Sequence, residues 1–392
     1  MKFTITTLLI VLSMSILAQN DSMNYNTADR LLKSNTKLSI GGYGEMNYNQ
    51  EVDPDVRQNG NLDVHRMVLM FGYKFNDRTN FITEIEMEHV RELYVEQAFL
   101  QYRISNSVNL RAGLMLVPMG IVNEFHEPTT FNGVERPDLD KYVVPTTWRE
   151  NGIGITGNLK KINLKYQAYV MNGFSGHNGD DATFNEKNGL RGGRQKGAQS
   201  FMSSPTLSSK VDYYGVKGLK LGLAFYSGRS QSRHYDNLDK DDALANRTAD
   251  STSIGINMVG LNAIYTYKAL QFRGQFNNVN MKNTDEYNAF FSTNLGSNIM
   301  GYYGEVSYNL FQKSKKNGDL LPFVRYERYN TQNEVESGFV KNEEYNRSSW
   351  TMGLGWRITP GSILKGDYQV FENDKAGSKS VKRLNLGVGV WF

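Results

Sequence analysis

Hydrophobic and polar positions alternate strictly at the end of the chain. Every second residue from 384 to 392 is apolar, and these positions are Leu384, Leu386, Val388, Val390 and Phe392. Arginine, asparagine, glycine and tryptophan occupy the positions between them. A period of two places the apolar side chains on one face of a β-strand. Such a face is expected for a strand of a transmembrane β-barrel, with lipid outside and water inside, and also for a strand of a soluble β-domain.

The same alternation recurs along the chain and predicts about sixteen strands. Their predicted ranges are 37–50, 62–75, 81–90, 93–104, 108–118, 151–159, 162–172, 206–214, 219–229, 253–267, 270–282, 298–311, 320–330, 348–359, 363–371 and 380–392. Short polar connections such as 76–79, 105–107 and 268–269 alternate with mostly longer ones. Outer-membrane barrels show this arrangement, because their periplasmic turns are short and their extracellular loops long. The sequence therefore predicts an all-β fold, a transmembrane antiparallel β-barrel.

The first 18 residues are typical of a secretory signal peptide. Lys2 precedes an uncharged run over residues 3–17, and Ala18 offers a small residue for cleavage. The apolar run is shorter than the ~20 residues that a spanning helix needs, and no later segment is long enough either. We therefore divide the chain into a signal peptide (1–18), an N-terminal periplasmic segment (19–36) and an outer-membrane barrel (37–392).

Composition narrows the range of functions. The chain has 44 Lys and Arg against 40 Asp and Glu, so it shows no basic stripe of the kind that binds nucleic acid. It has no cysteine, so an exported chain of this kind must be held together without disulfides. Closing a barrel does this by leaving no unpaired sheet edge. The 23 tyrosines and 20 phenylalanines suit the aromatic girdles of a membrane barrel.

Parity along each strand assigns the charged side chains to the lumen. A Lys or Arg on the lipid face at mid-bilayer costs about 2–4 kcal/mol, which fixes the register of the strands. The inward bases outnumber the inward acids, although many of them have possible partners on neighbouring strands and a purely structural role. The bases predicted to line the pore and set its selectivity are Arg66, Arg103, Arg111, Lys165, Arg273, Arg325 and Arg357. Lys210 and Lys220 also face inward, and we place them nearer the periplasmic rim.

The longest early connection, 119–150, follows the fifth predicted strand. In channel-forming barrels of this size, a loop at that position folds inward and narrows the channel. This one carries six acids against three bases, and opposed charges at a constriction orient passing solutes. The residues predicted to form the constriction are Glu124, Glu127, Arg136, Asp138, Lys141 and Arg149. The alternative is a solvated surface loop without a role in the channel.

Three segments carry a resemblance to a known family. They are EQAFLQYR at 96–103, LRAGLMLVPMG at 110–120 and WRENGIGI at 148–155. The chain resembles the phosphate-selective porin O and P family over residues 37–392. This resemblance implies a sixteen-stranded, trimeric outer-membrane channel of a Gram-negative bacterium, whose arginines and lysines guide anions. Arg103 and Arg111 lie within the matching segments, so the resemblance assigns the role of guiding anions to these two residues first.

These features predict a porin for passive diffusion of small hydrophilic solutes, with a mild preference for anions such as phosphate, rather than an enzyme. Two alternatives stay open, namely a barrel enzyme of the phospholipase or protease type and a barrel scaffold or adhesin with an occluded lumen. The 5 histidines show no spacing that proposes a nucleophile or a metal site, so we predict no catalytic residue, metal or cofactor. The expected partners are solutes, outer-membrane lipids, other copies in a homotrimer, and the barrel-insertion machinery, which reads Phe392 as an assembly signal.

Overall fold

The computed structural model describes residues 26–314 and 318–392, so the predicted signal peptide, 1–18, lies outside the described residues. Sixteen strands form one closed barrel in which every strand is antiparallel to its neighbours and the last strand pairs with the first. The barrel strands are β1 (Leu38–Glu51), β2 (Asn61–Lys74), β3 (Thr79–Glu88), β4 (Glu92–Arg103), β5 (Asn109–Leu116), β6 (Arg149–Leu159), β7 (Leu164–Met171), β10 (Thr206–Tyr213), β11 (Leu219–Arg229), β12 (Gly255–Tyr267), β13 (Leu270–Lys282), β14 (Asn298–Tyr308), β15 (Asp319–Glu334), β16 (Asn346–Thr359), β17 (Ser362–Asn373) and β18 (Val381–Trp391). The two-residue strands β8 (His177–Asn178) and β9 (Asp181–Ala182) form a hairpin in a loop.

The structure confirms the predicted antiparallel barrel and its strand count. Most strand ends lie within a few residues of the predicted ones. The clearest differences are in β14, which ends at Tyr308 rather than at 311, and in β15, which continues to Glu334 beyond the predicted end at 330. Both differences occur at strand ends, where the period-two pattern fades into polar sequence.

The two ends of the barrel differ in their connections. One end carries the C-terminus and short connections such as 75–78 and 268–269, and we call it the short-turn end. The other, the long-loop end, carries connections such as 172–205 and 230–254. The helices are α1 (Thr27–Leu32), α2 (Leu139–Tyr142), α3 (Ala243–Ser251) and α4 (Thr284–Phe291), with 3₁₀ turns at Lys160–Ile162, Arg191–Gly193, Arg233–Tyr235 and Glu343–Tyr345. Within the described part of the chain, no helix is both long and apolar enough to cross a membrane.

Alternation decides which side chains point outward. In β18, Leu386 is 49% exposed on the outer surface, whereas the neighbouring Asn385 is fully buried on the inner side. Strand β12 carries apolar residues at both parities in the sequence, yet it follows the same rule. Its Met258 points inward and is fully buried, and Leu261 is exposed outside. Inward apolar residues are therefore tolerated where the loops fill the lumen.

An aromatic core fills part of the lumen near the long-loop end. Trp148, Phe174, Phe184, Tyr226 and Tyr287 are all buried there. The ring of Trp148 lies 4.6 Å from both Phe174 and Tyr226, measured between ring centroids. Aromatic pairs at such distances are stabilising beyond the area that they bury. The extracellular-type loops therefore pack into the barrel rather than extending from it, and they leave a narrowed interior.

Candidate functional site: the pore and its constriction loop

The connection between β5 and β6, residues 117–148, folds into the barrel and is closed at its base by Asn123. The Asn123 amide donates hydrogen bonds to the carbonyls of Val117 (2.7 Å) and Trp148 (2.9 Å), and its side-chain oxygen accepts one from the Trp148 N–H (2.7 Å). All three residues are buried, so one side chain satisfies three backbone groups where the loop leaves and rejoins the wall. The sequence analysis missed Asn123 because it searched the loop for charge.

The predicted acids Glu124 and Glu127 are held by hydrogen-bond donors. Glu124 accepts from the Lys210 ammonium (2.6 Å) and from the amide of Gln167 (2.6 Å). Burial alone raises the pKa of Glu124, but the attraction of Lys210 outweighs it and the pKa lies below its usual value. Glu127 accepts from both the N–H and the hydroxyl of Thr27, at 2.7 Å each. These two acids are therefore engaged in contacts that position the loop.

Three bases of the wall bind the backbone of the loop. The contacts to loop carbonyls are Arg357 to Thr129 (3.1 Å), Lys365 to Phe131 (3.0 Å) and Arg325 to Asn132 (3.3 Å). Arg325 is also paired with Glu305 (3.4 Å) and Glu327 (3.6 Å) and is buried. A buried arginine with two carboxylate partners carries little net field into the lumen. Arg325, one of the bases predicted to line the pore, is therefore an anchor for the loop.

His126 ties the loop to the opposite wall. Its Nε2 lies 3.3 Å from a carboxylate oxygen of Glu96 and 3.5 Å from one of Glu84. Burial lowers the pKa of His126, but hydrogen bonds to both carboxylates outweigh this effect and raise the pKa to about 10. Arg66 donates to the His126 carbonyl, and Arg149 pairs with Glu96 at 3.2 Å. His126 is therefore a cation at neutral pH, and it belongs to a network that also holds the predicted residues Arg66 and Arg149.

Helix α1 lies inside the barrel at the short-turn end, below the loop. The Thr27 hydroxyl that binds Glu127 also accepts from the indole N–H of Trp391 (2.9 Å). Asp29 of the helix lies 3.7 Å from the guanidinium of Arg111. Arg111 thus faces the lumen as predicted, but a carboxylate from the N-terminal segment offsets part of its charge.

Arg136 is one of the loop residues that line open space. It lies at the long-loop end in a cavity of about 190 Å³. The other charged residues and the histidine of this cavity are Glu45, His65, Glu135, Asp138, Asp140, Lys141, Arg191 and Arg383. Among the described residues, no carboxylate lies within ion-pairing distance of Arg136. Burial and then the charge of Arg66 lower the pKa of Arg136 from its usual value.

Two cavities between the loop and the short-turn end are lined mainly by bases. The larger has a volume of about 540 Å³, and we call it the basic cavity. Among the described residues, it is lined by one acid, Asp319, and by the bases Lys210, Lys220, Lys268, Arg273 and Arg357. The smaller, of about 260 Å³, is lined by Lys33, Arg111, Lys165, Lys210 and Lys220 with the acids Asp29, Glu124 and Asp212. Lys210 and Lys220 border both spaces. The lumen below the loop is therefore cationic.

The structure reverses one predicted contrast between bases. Arg103, predicted to line the pore and to guide anions, is exposed at the end of β4 and donates to the Asp77 carbonyl (2.7 Å) in a short turn. Lys210, predicted near the rim, is buried in mid-strand and donates to the Gly120 carbonyl (2.8 Å) as well as to Glu124. Parity predicts the direction of a side chain but not its depth in the barrel, which depends on where each strand begins and ends.

The remaining predicted residues lie as follows. Arg273 lines the basic cavity, 3.9 Å from Glu305, and Lys165 lines the smaller cavity. In the loop, the Asp138 carboxylate lies 3.5 Å from the Tyr329 hydroxyl, and the Lys141 ammonium lies over the ring of Tyr142. Phe392 exchanges two backbone hydrogen bonds with Gly42 of β1, and its side chain is exposed on the outer surface.

One histidine and one serine approach each other in the loops of the long-loop end. His177 Nε2 lies 2.9 Å from the hydroxyl oxygen of Ser232, a pair that the sequence spacing does not reveal. Ser232 is buried, contacts the Thr252 hydroxyl at 2.6 Å and accepts from the N–H of His234. These contacts commit the Ser232 hydroxyl to holding three loop segments together, which is a structural role rather than that of an exposed nucleophile.

Comparison with known proteins gives a consistent result. Residues 40–383 match the family described as phosphate-selective porin O and P. An uncharacterized protein of Aquifex aeolicus (strain VF5) is 32% identical over 356 residues, which cover 87% of this chain and 77% of that protein. The anion-selective porin from Comamonas acidovorans has a similar fold, with a TM-score of 0.57 and 11% identity over 91% of this chain and 99% of its own. The trimer form of OmpT, an outer membrane protein of Vibrio cholerae, aligns with a TM-score of 0.53 and 9% identity over 91% of this chain and all of its own.

Proposed function

The chain belongs to the phosphate-selective porin O and P family, and we propose that it is an outer-membrane channel for small hydrophilic solutes that favours anions over cations. The observation that carries the anion preference is the basic cavity. Lys220, Lys268 and Arg273 line this space, and Asp319 is the one acid among its described lining residues. The solved porin from Comamonas acidovorans, which has the same fold, is anion-selective by its description.

The preference follows from the excess of bases over acids around this space. Lys220 lies 3.8 Å from Asp212, Arg273 lies 3.9 Å from Glu305 and Arg357 lies 3.0 Å from Asp319, and further bases of the two cavities exceed these acids in number. Salt screens exposed charges over about 8 Å at physiological ionic strength, so charge on a wide mouth acts weakly on a passing ion. In a narrow cavity every ion passes within that distance of the wall. Glu124 and Glu127 are engaged by donors on α1 and the wall, so they offset little of this field. On the long-loop side of the loop, Arg136 lines a cavity in which four acids accompany four bases, so the excess of bases lies in the space below the loop.

Among anions, we propose that the channel favours oxyanions such as phosphate or carboxylates. Arg136, Arg273 and Arg357 lie along the two sides of the loop. The planar guanidinium offers two parallel N–H donors to such an anion and keeps its charge at any working pH. A halide lacks the geometry to use both donors at once. The family description names phosphate, and these arginines are the residues that we expect to recognise it in this chain.

Recording in planar bilayers tests the proposal. The purified protein should form open channels whose reversal potential in a KCl gradient leans toward anions, and replacing chloride by phosphate should lower the current through competition at the arginines. Substituting Lys220 and Arg273 together with glutamine keeps hydrogen-bond donors but removes two charges from the basic cavity, so the anion preference should fall. Substituting the exposed Arg229 and Lys379 with glutamine is the matched control and should leave it unchanged. Cation preference in the native protein would contradict the proposal.

The second candidate is a barrel scaffold or adhesin with an occluded lumen. Helix α1 and the aromatic core around Trp148 both occupy the interior and favour this alternative. The same recordings distinguish the two functions, because an occluded barrel gives no steps of current. The family and fold point to a channel rather than to an enzyme.

We further propose that the chain assembles as a homotrimer. OmpT of Vibrio cholerae, which shares the fold, is described in a trimer form. Light scattering on the purified protein in detergent, with the detergent mass subtracted, should give three times the mass of one chain. A mass equal to one chain would contradict this assembly.

A further inference from the structure

Asp63, His65 and His89 meet at the rim of the long-loop end. An imidazole nitrogen of His89 lies 2.5 Å from a carboxylate oxygen of Asp63, and one of His65 lies 3.7 Å from the same oxygen. The two imidazole rings stand edge to face with centroids 5.5 Å apart. One ligand atom from each residue can be chosen so that all three lie within 4.8 Å of one another. Asp63 and His65 are half-buried and His89 is exposed, so solvent reaches the cluster.

A β-bulge in β2 brings these side chains together. Glu45 of β1 pairs with Arg66, and Asn47 pairs with Asp63, so β2 holds one residue more than β1 over this stretch. A bulge of this kind changes the parity of the strand on its two sides. Both His65 and Arg66 consequently reach toward Glu45, at 4.0 Å and 2.6 Å. Strict alternation would have turned His65 to the lipid side, which is why the sequence analysis found no spacing among the histidines.

A tight turn supplies the third residue. His89 and Val90 are the first two residues of the three-residue connection from β3 to β4, and both have positive φ angles, of 51° and 64°. Turns with two consecutive residues of positive φ normally use asparagine and glycine, because a branched side chain is strained there. The His89 N–H donates to the His65 carbonyl (3.3 Å), so the turn holds the two histidines opposite each other across the strands.

Two imidazoles and one carboxylate form a ligand set for a transition metal. Imidazole nitrogen suits Zn²⁺, Cu²⁺ and Ni²⁺, whereas Mg²⁺ and Ca²⁺ prefer oxygen ligands throughout. Zn²⁺ is commonly held by three protein ligands with water in the fourth position. Glu45 stands nearby, but its carboxylate is bound by Arg66 and is not a free fourth ligand.

A second group of potential ligands, Glu84, Glu96 and His126, is less suited to a metal than the rim cluster of Asp63, His65 and His89. All three of its members are buried, and His126 is already bound by both carboxylates as a cation. A cationic imidazole has no lone pair for a metal. We propose that Asp63, His65 and His89 form a binding site for a divalent transition-metal ion, with Zn²⁺ as the best match, at the rim of the pore.

Binding there would change the charge of the vestibule. His65 lines the same cavity as Arg136, so a bound dication would add positive charge beside an arginine that has no ion-pair partner among the described residues. An anion entering from the long-loop side would then meet a more positive mouth. Metal binding itself does not depend on conduction, so it can be tested even if the channel proved to be occluded.

Calorimetric titration of the purified full-length protein in detergent with ZnCl₂ at neutral pH tests the site. The native protein should bind one Zn²⁺ per chain with saturation. His65→Gln and His89→Asn should each weaken binding by about tenfold or more, since each removes one ligand. Asparagine is well suited to the positive φ of position 89, so the second variant should fold at least as well as the native chain. His234→Asn, which changes a histidine of the same end outside the cluster, should bind as the native protein does.

Loss of binding in both cluster variants, with binding kept in His234→Asn, supports the proposal. Equal affinity in all variants would locate the bound metal elsewhere and overturn it. Absence of saturable binding by the native protein would overturn it as well. Heat-dependent gel mobility of each variant, measured in parallel, verifies that the barrels compared are folded.

Discussion

Lys210 and Arg103 are both inward-facing bases, yet they meet opposite environments. Lys210 is buried and bound to Glu124 at 2.6 Å, whereas Arg103 is exposed and contacts a backbone carbonyl. At the scale of single residues, the effect of a charge here depends on its depth and partner rather than on its presence alone. Removing one member of a buried pair leaves the other charge without compensation.

Lys210→Gln should therefore destabilise the barrel by about 3–5 kcal/mol, because it leaves the Glu124 carboxylate buried without a cation. Arg103→Gln should change the free energy of unfolding by less than about 0.5 kcal/mol. Urea unfolding in lipid vesicles, followed by tryptophan fluorescence, measures both. The double variant Lys210→Gln with Glu124→Gln should recover part of the lost stability, and equal effects of the two single variants would refute this account.

The charge of His126 predicts a pH dependence of the loop. Its pKa is about 10 in the folded chain and about 6.5 when unfolded, so its contribution to stability is complete below pH 6.5 and is lost as the pH rises toward 10. The stability difference between the native protein and His126→Gln should therefore be largest below pH 6.5 and shrink above it. Unfolding of both proteins across this range tests the sign. A difference that grows with pH would show that His126 is neutral in the folded state.

At the scale of elements, the loop 117–148 and helix α1 determine the width of the lumen together. Asn123 closes the loop at its base, and bases of the wall donate hydrogen bonds to the loop carbonyls. The helix lies beneath it and is joined to it through Thr27 and Glu127. Neither element is part of the hydrogen-bonded wall, so each can be altered with the barrel intact.

Asn123→Ala should loosen the loop without unfolding the barrel. It leaves the Trp148 N–H without its partner, which costs about 1–3 kcal/mol for a buried group, and it removes one of the two hydrogen bonds that each of the Val117 and Trp148 carbonyls accepts. We expect faster cleavage within the loop by an added protease and noisier open-channel current. Asn280→Ala, on the exposed end of β13, is the control. Unchanged cleavage in Asn123→Ala would show that Asn123 does not hold the loop closed.

Deleting residues 26–32 should raise the single-channel conductance. These residues include α1, which lines the cavity of about 260 Å³ that would then open toward the short-turn end. Thr27→Val keeps the shape of the helix and its backbone hydrogen bond to Glu127 but removes the hydroxyl contacts with Glu127 and Trp391, so it should give an intermediate effect. If the deletion left the conductance unchanged, the narrowest zone would lie entirely within the loop.

At the scale of the whole molecule, closure of the barrel depends on the pairing of the first and last strands. Phe392 continues this pairing through two backbone hydrogen bonds with Gly42, and its ring lies on the outer surface. Phe392 therefore contributes to closing the sheet, and its role as an assembly signal stays a prediction.

Deletion of Phe392, or its replacement by aspartate, should lower the amount of folded barrel in the outer membrane. Heat-modifiable gel mobility of membrane fractions measures this amount directly. Phe392→Tyr keeps an aromatic ring and serves as the control, with a yield close to that of the native chain. A native yield in the deletion variant would remove Phe392 from the assembly signal.

The alternation along the chain was enough to predict the barrel, its number of strands and the lipid-facing side of most strands, although not of β12, which carries apolar residues at both parities. These properties follow from local rules, because the period of two and the cost of a charge in lipid act on each residue separately. The inward loop was also predictable, since its position in the order of strands and its length are read directly from the chain.

Which charges meet depends on how the chain folds. Lys210 reaches Glu124 across 86 positions, and Thr27 reaches Glu127 across 100, so no local pattern reports either contact. The depth of Arg103 depends on where β4 ends, and the meeting of His65 with His89 depends on a bulge that alternation cannot show. The partner of each charged side chain and its depth in the barrel are set when the barrel closes. They determine which residues anchor the loop, which line the basic cavity and which form the candidate metal site.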